Sequence, residues 1–264
     1  MSWSDYIPAK GRLVKDVTVL LTVFKRDTLD QQLRALSEQT IIPKEVVVYH
    51  DCDFQKVPKR RLVKKGVQVV ENSWNTKYIG RFAYLINAPT EWIAVVDDDL
   101  ILGPDCLRNY LDQAEKLNAI VGGMGRIGRT NPLRGTLAQP PDVGIRPEPT
   151  LVDFVGQMWV FRKELLFDMF SIPPSTYATG EDMHLCFSAK LRSGIQSYVA
   201  AQPTELSVCD MANGKYSGDS FASYKTTPKS DRAAVETYFT DMGMSLIDLD
   251  DQRMAQEHLP RFDD

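Results

Sequence analysis

Residues 92–100 read WIAVVDDDL, a run of five apolar residues that ends in three consecutive acids. An apolar run this short, rich in β-branched side chains, fits a strand buried on both faces of a sheet. Carboxylates at its end place hard oxygen ligands at the sheet's rim, the donor type that suits Mg²⁺ or Mn²⁺. In a tight turn the first and third acids can leave the chain on one side, which makes Asp97 and Asp99 the candidate metal pair. The competing assignment is capping of the helix expected from Pro104, where a proline tolerates the first helical position.

Upstream, the same alternation repeats. A β-branched run over 16–24 leads into a helical pattern through Leu29, Leu33 and Leu36; strands follow at 45–49 and 67–70, and a helix at about 77–87. Strands alternating with crossover helices predict an α/β, Rossmann-like fold: a mainly parallel mixed sheet flanked by helices. Its ligand crevice should open at the carboxyl ends of the strands. Downstream, residues 122–150 are rich in Gly and Pro and read as a long loop carrying Arg126, Arg129, Arg134 and Arg146. A strand is expected at 151–161, and a helix at 181–192 closed by Gly194. No internal repeat is evident.

Composition bounds the function class. With 264 residues, 43% hydrophobic and 25% charged, the chain can bury a sizeable core, which excludes disorder. Cys52, Cys106, Cys186 and Cys209 are widely spaced, without a CxxC pair, so neither a disulfide framework nor a zinc site is expected. The longest apolar run, 17–24, is far too short to span a bilayer, and no signal peptide is read at the start; the expectation is a cytoplasmic protein. Residues 1–81 are net +6 and the remainder net −10. The run KVPKRRLVKK (56–65) is the strongest nucleic-acid candidate, but it reads as a solvated helix face, and no nucleic-acid partner is expected.

A second acidic motif follows about 80 residues after the first: Thr179-Gly180-Glu181-Asp182, at the start of a helix. Alone it could be ordinary capping. Paired with a metal site, Glu181 and Asp182 become candidates for general base work on an acceptor hydroxyl. Asn75, Lys77 and Arg81 precede the acidic strand, the two cations at i, i+4 on one predicted helix face and within reach of a phosphate. His184 reads as a packing residue.

These motifs together resemble GT-A nucleotide-sugar glycosyltransferases. VTVLLTVFKRDTLDQQLRALSEQTIIPKEVVVYHD (17–51) is similar to their opening, WIAVVDDDL to their DxD strand, and GEDMHLCFSAKLRSGI (180–195) to their acidic acceptor-side helix. Two subgroups fit: glycosyltransferase family 2, generally inverting, and the exostosin-like family 64, which is retaining. NTKYIGRF (75–82), FVGQMWVFRKELLFDMF (154–170) and NGKYSG (213–218) look more like the latter, a slight lean to retention.

The resemblance implies a metal-dependent transfer from a nucleoside-diphosphate sugar, UDP favoured, to a glycan or other hydroxyl acceptor. Thr22, Phe24, Arg26 and Asp51 would border base and ribose; Asn75, Lys77 and Arg81 would approach diphosphate or sugar. Asp97 and Asp99 would be the DxD pair, with Asp99 the likeliest ligand of Mn²⁺ or Mg²⁺ and Asp98 near ribose or sugar hydroxyls. Asp182 would be the catalytic carboxylate, beside Glu181, while Lys215, Tyr216 and Ser217 would close over the phosphates. No downstream histidine ligand is evident, and Asp210 is the expected substitute. The implied organisation is one catalytic domain over 1–228, with a nucleotide-binding half (16–120) and an acceptor-side half (121–228), then an acidic helical tail over 229–264. A sugar-phosphate nucleotidyltransferase is the enzymatic alternative, although 22–32 lacks the glycine-rich loop that a triphosphate needs. An inactive sugar-nucleotide binding module is the other, and a two-metal nuclease or phosphatase would need more convergent acids.

Overall fold

The computed structural model describes residues 3, 11–52, 54–127, 145–210, 219–221 and 223–260. Its centre is an eight-stranded sheet in the order β3-β2-β1-β4-β8-β6-β9-β7. These strands are β1 (Leu13–Val23), β2 (Ile41–Asp51), β3 (Val67–Asn72), β4 (Trp92–Val96), β6 (Ile120–Arg126), β7 (Thr150–Val152), β8 (Phe154–Arg162) and β9 (Ser197–Val199); β5 (Ile101–Leu102) pairs with β10 (Cys209–Asp210) in a separate ribbon. β3, β2, β1 and β4 are mutually parallel, whereas β8 runs antiparallel to both β4 and β6. The sheet is therefore parallel through its first half, as the alternating sequence pattern predicts, and mixed beyond.

Both faces of the sheet are covered, which is why its central strands read as continuous apolar runs. Val17, Val19, Leu21, Ala94 and Val96 face one core, with α1 (Leu29–Ser37), α2 (Lys59–Lys64) and α4 (Cys106–Leu117). Leu20, Val47, Ile93 and Val95 face the other, against α3 (Ile79–Leu85), α5 (Leu165–Ser171), α6 (Glu181–Ser193) and α8 (Lys229–Asp241), which the short α7 (Ser223–Thr226) precedes. The chain leaves β1 outward to β2 and returns to the opposite side of β1 at β4. That reversal opens a crevice between the carboxyl ends of β1 and β4, directly at Thr22–Arg26 and Asp97–Asp99.

Several boundaries depart from expectation. The strand expected over 151–161 is two strands broken at Asp153, a buried acid that accepts from the Ile247 amide at 2.9 Å and lies 3.8 Å from Lys190 Nζ. An acid amid apolar neighbours gives no periodic signal of such a break. The long loop is shorter than its composition suggests: β6 runs to Arg126, Arg146 pairs with Gln202 across a β-bridge, and β7 begins at Thr150. Residues 128–144 lie outside the described residues. The helix expected from Pro104 begins at Cys106, after Asp105.

Beyond 228, Val235 and Phe239 of α8 are buried in the same core as α6. Further on, α9 (Leu249–Glu257) starts with a reciprocal capping box between Asp248 and Asp251. Among the described residues, no helix is long and apolar enough to cross a membrane.

Candidate active site

A cleft of about 640 Å³ opens at the reversal point. One wall is the turn after β4. Asp97 donates its amide to the Gln157 carbonyl at 3.0 Å, and Leu100 closes the turn by donating to the Asp97 carbonyl at 3.3 Å. From α1, Gln32 Nε2 donates to the carbonyls of Asp97 and Leu100 at 2.8 and 3.0 Å. The three acids therefore project from a turn held by main-chain and side-chain bonds alike.

Their charge is met by two arginines. Arg26 pairs with Asp98, lies 3.6 Å from Asp99 and is chelated by Asp219 at 2.9 and 3.0 Å. Burial pulls the Arg26 pKa down, but these carboxylates more than offset it, and the guanidinium stays charged. Arg81 is buried on α3, stacked 5.0 Å over the Trp159 ring. It donates to Asp97 at 2.6 Å, to Glu181 at 3.2 Å and to Thr22 Oγ1 at 2.9 Å. One guanidinium thus ties the acids after β4 to the acids at the start of α6.

Even so, negative charge remains under-compensated. Burial, with Asp97 and Asp98 nearby, pushes the Asp99 carboxyl up to about 7, and burial with Asp182 nearby pushes Glu181 up to about 7. The Tyr78 hydroxyl, between these groups, is pushed up to about 12, chiefly by burial. Crowded buried carboxylates of this kind are what a divalent cation relieves, and an all-oxygen donor set suits Mg²⁺ or Mn²⁺. Among the described residues, no three His, Cys, Asp or Glu side chains could hold a metal by themselves. Asp97 and Asp99 fit such an ion only with oxygens from a ligand completing its shell.

On the opposite wall, Gly180 enters α6 with φ +84°. A β-carbon there would strike Val235 at 2.9 Å, so both conformation and space call for glycine at this turn. Asp182 follows in the first helical turn and accepts from Arg232 of α8 at 2.6 Å. Arg232 and Asp219 join the site from sequence that gave no local signal.

A third side of the cleft is built from the ends of β1 and β2. Asp51 Oδ1 accepts from both the amide and hydroxyl of Thr76 at 3.0 Å, which fixes the turn bearing Asn75. Phe24 lies edge-on to Phe54, with ring centroids 4.9 Å apart, and Lys25 Nζ stands 5.1–5.2 Å from the rings of Phe24, Phe54 and Phe221. Asn75 accepts from the Lys77 amide at 2.7 Å, and Lys77 has φ +59°. The helix accordingly starts at Ile79, not Lys77, and the two cations do not share a helix face: Lys77 is exposed at the cleft's rim and Arg81 is buried within it.

Of the candidates named from sequence, the cleft lining brings together Thr22, Phe24, Arg26, Asp51, Asn75, Lys77, Arg81, Asp97, Asp98, Asp99, Glu181 and Asp182. Asp210 is the exception. Its pairing with Ile101 places it on the small ribbon, exposed and outside the cleft lining. Lys215, Tyr216 and Ser217 lie outside the described residues. His184 is buried, with Nε2 2.8 and 3.0 Å from the carbonyls of Met169 and Ile172, which is a packing role.

Crystal structures of S. aureus TarS resemble the chain in fold. Its 1–349 fragment in complex with UDP has a TM-score of 0.50 at 19% identity over 70% of this chain and 60% of that one. The 1–349 fragment without UDP in its description has 0.48 at 20% identity over 71% and 61%. The chain thus spans about three fifths of those fragments and 36% of a longer TarS structure. No curated protein matches the chain. Residues 18–170, from β1 through α5, match the model of glycosyl transferase family 2, and of the two subgroups that the motifs resemble it is this one to which the chain belongs.

Proposed function

We propose that the chain transfers a sugar from a nucleoside-diphosphate sugar, UDP favoured, to a hydroxyl of a glycan or other acceptor, with inversion at the sugar carbon. The observation that carries this function is the meeting of the two acidic motifs across one cleft, joined by Arg81 at 2.6 Å to Asp97 and 3.2 Å to Glu181. UDP is favoured because a fold neighbour, TarS, is described in complex with it. Family 2 membership favours inversion over the retention suggested by the exostosin-like motifs.

In this mechanism Asp51, Phe24 and the Asn75 turn hold the nucleoside, and Arg26 and Arg81 face the diphosphate. Asp97 and Asp99 would hold Mn²⁺ or Mg²⁺, which when bound would supply positive charge against the diphosphate. Asp182 takes the proton of the acceptor hydroxyl as the new bond forms, and Arg232 holds its carboxylate in place. Glu181, at about 7, shares Arg81 with Asp97 and sets the position of that guanidinium.

The test is consumption of UDP-, GDP- and CDP-sugars in the presence of Mn²⁺, followed by release of the nucleoside diphosphate. One donor is expected to be consumed, with the rate lost on Asp99→Asn, while phosphodiesters and sugar phosphates with nucleoside triphosphates are not. Turnover of a phosphodiester, or synthesis of a sugar nucleotide from triphosphate, would replace glycosyl transfer with one of the alternative chemistries.

A further inference from the structure

Arg26, a group that faces the diphosphate in the mechanism above, is already engaged on both edges of its guanidinium. Its Nη1 donates to Asp98, while its Nε and Nη2 donate at 3.0 and 2.9 Å to the two carboxylate oxygens of Asp219. The forked pair is largely withdrawn from water, with 8% of the Arg26 side chain and 18% of the Asp219 side chain exposed. This is the geometry by which an arginine also takes two oxygens of a phosphate. The Asp219 carboxylate therefore stands where a phosphate of the donor would be received.

The two acids on Arg26 are anchored differently. Asp98 belongs to the turn after β4, where its carbonyl accepts from Thr28 Oγ1 at 2.5 Å. Asp219 belongs to a short turn, 219–221, outside the helices and strands. Of the two, Asp219 is the one that can leave without unmaking the sheet's rim.

The same turn also fills the neighbouring part of the cleft. Asp219 Oδ1 accepts from the Phe221 amide at 3.0 Å, a side-chain-to-backbone bond that fixes Phe221 relative to the carboxylate. The Phe221 ring lines the cleft and stands 5.1 Å from Lys25 Nζ, which is also 5.2 Å from Phe24 and 5.1 Å from Phe54. An acid thus lies on the guanidinium and an aromatic ring lies in the cluster of Phe24, beside which the nucleoside is expected. One turn carries the two kinds of group, anionic and flat, that a nucleotide carries at its two ends. A diphosphate arriving at the Nε and Nη2 edge would meet Asp219 as a like charge in contact, so the two cannot share it.

We propose that residues 219–221 form an autoinhibitory strap: Asp219 covers Arg26, Phe221 covers the aromatic cluster at Lys25, and a nucleotide binds only by displacing both. The identity of the displacing ligand rests on the glycosyltransferase reading. The strap itself does not, because inorganic pyrophosphate needs only the Arg26 end.

The first measurement is a calorimetric titration of the full chain, Asp219→Ala and Phe221→Ala with pyrophosphate and with UDP, each in the presence of Mg²⁺. Removing a competing charge-assisted pair should tighten both ligands in Asp219→Ala by roughly tenfold or more. Equal or weaker binding by that variant overturns the strap, and weaker binding would make Asp219 a ligand-holding group instead. Phe221→Ala, which alters an exposed side chain and leaves every charge in place, should tighten UDP more than pyrophosphate. A loss of UDP affinity in this variant overturns the proposal as well.

The second measurement reads displacement directly, by ¹⁹F NMR of the chain labelled with 4-fluorophenylalanine, the Phe221 signal being assigned by its disappearance in Phe221→Leu. Saturating UDP with Mg²⁺ should move that signal, and a Phe221 signal unchanged at saturation overturns the strap. Tighter pyrophosphate binding by Asp219→Ala, with no nucleoside diphosphate bound by any of the proteins, upholds the strap and removes the nucleotide-sugar reading. UDP binding that is indifferent to Asp219 and Phe221 does the reverse, and no binding of either ligand by any of the proteins overturns both.

Discussion

Asp182→Asn is expected to lower kcat by a factor of about 10²–10⁴, the usual contribution of a positioned general base, with the KM for the donor nearly unchanged. The substitution keeps the side chain's size and removes only its capacity to take a proton. Asp182 stands apart from Asp97 and Asp99, on the wall formed by α6, where it pairs with Arg232 from α8. The donor's diphosphate is assigned instead to Arg26, Arg81 and the acids after β4, which the substitution does not touch. A steady-state comparison with the consumed donor decides the matter. Undiminished transfer by Asp182→Asn would remove the base from the mechanism, and a loss confined to donor KM would move Asp182 to the donor side.

Arg81→Leu should have the largest effect on folding. Arg81 is almost wholly buried and is the shared partner of Asp97, Glu181 and Thr22. Removing one partner of a buried ion pair costs about 3–5 kcal/mol, because the remaining charges stay buried and unpaired. For a chain of this length that corresponds to a fall in Tm on the order of 10 °C.

The deficit should depend on pH in a definite direction. Glu181 already binds its proton more tightly in the folded state, at about 7, than at its ordinary 4.5. The stability tied to that proton is complete below about 4.5 and lost as pH rises through 7. Taking away the guanidinium raises the folded-state affinity further, so the gap between variant and wild type should widen from pH 5 to pH 8. Thermal unfolding across that range measures it. A gap that narrows with rising pH would show that Arg81 does not hold these carboxylates. Lysine should rescue poorly, since its point charge cannot reproduce the forked contacts to two carboxylates.

How much of this was legible in the sequence follows from what each signal depends on. The parallel half of the sheet and the position of the acids were readable because apolar periodicity is local, and because a strand ending in DDD constrains its own exit. The crevice followed from topology alone, since β1 and β4 are adjacent with β2 on the far side. Arg232 and Asp219 were not readable: both reach the site through tertiary packing, and neither carries a neighbouring pattern. Gln157 was hidden for a related reason. It lies where β6 and β8 slip register, and its carbonyl receives the Asp97 amide. The tail reads as acidic from its composition, whereas the residues of α8 that enter the core, Val235, Glu236 and Phe239, are too few to give a periodic signal. Lys77 was assigned to the same helix face as Arg81 because a positive φ at a lysine leaves no trace in sequence.

The most direct measurement is a calorimetric titration of the intact chain with UDP, GDP, CDP and ADP, each with and without Mn²⁺, repeated on Asp99→Asn. One nucleoside diphosphate, UDP foremost, is expected to bind only when the metal is present, and that binding should be lost in the variant. Binding that is indifferent to Mn²⁺ and to Asp99, or no binding by any of the four, would contradict a metal-assisted nucleotide-sugar site at the end of β4.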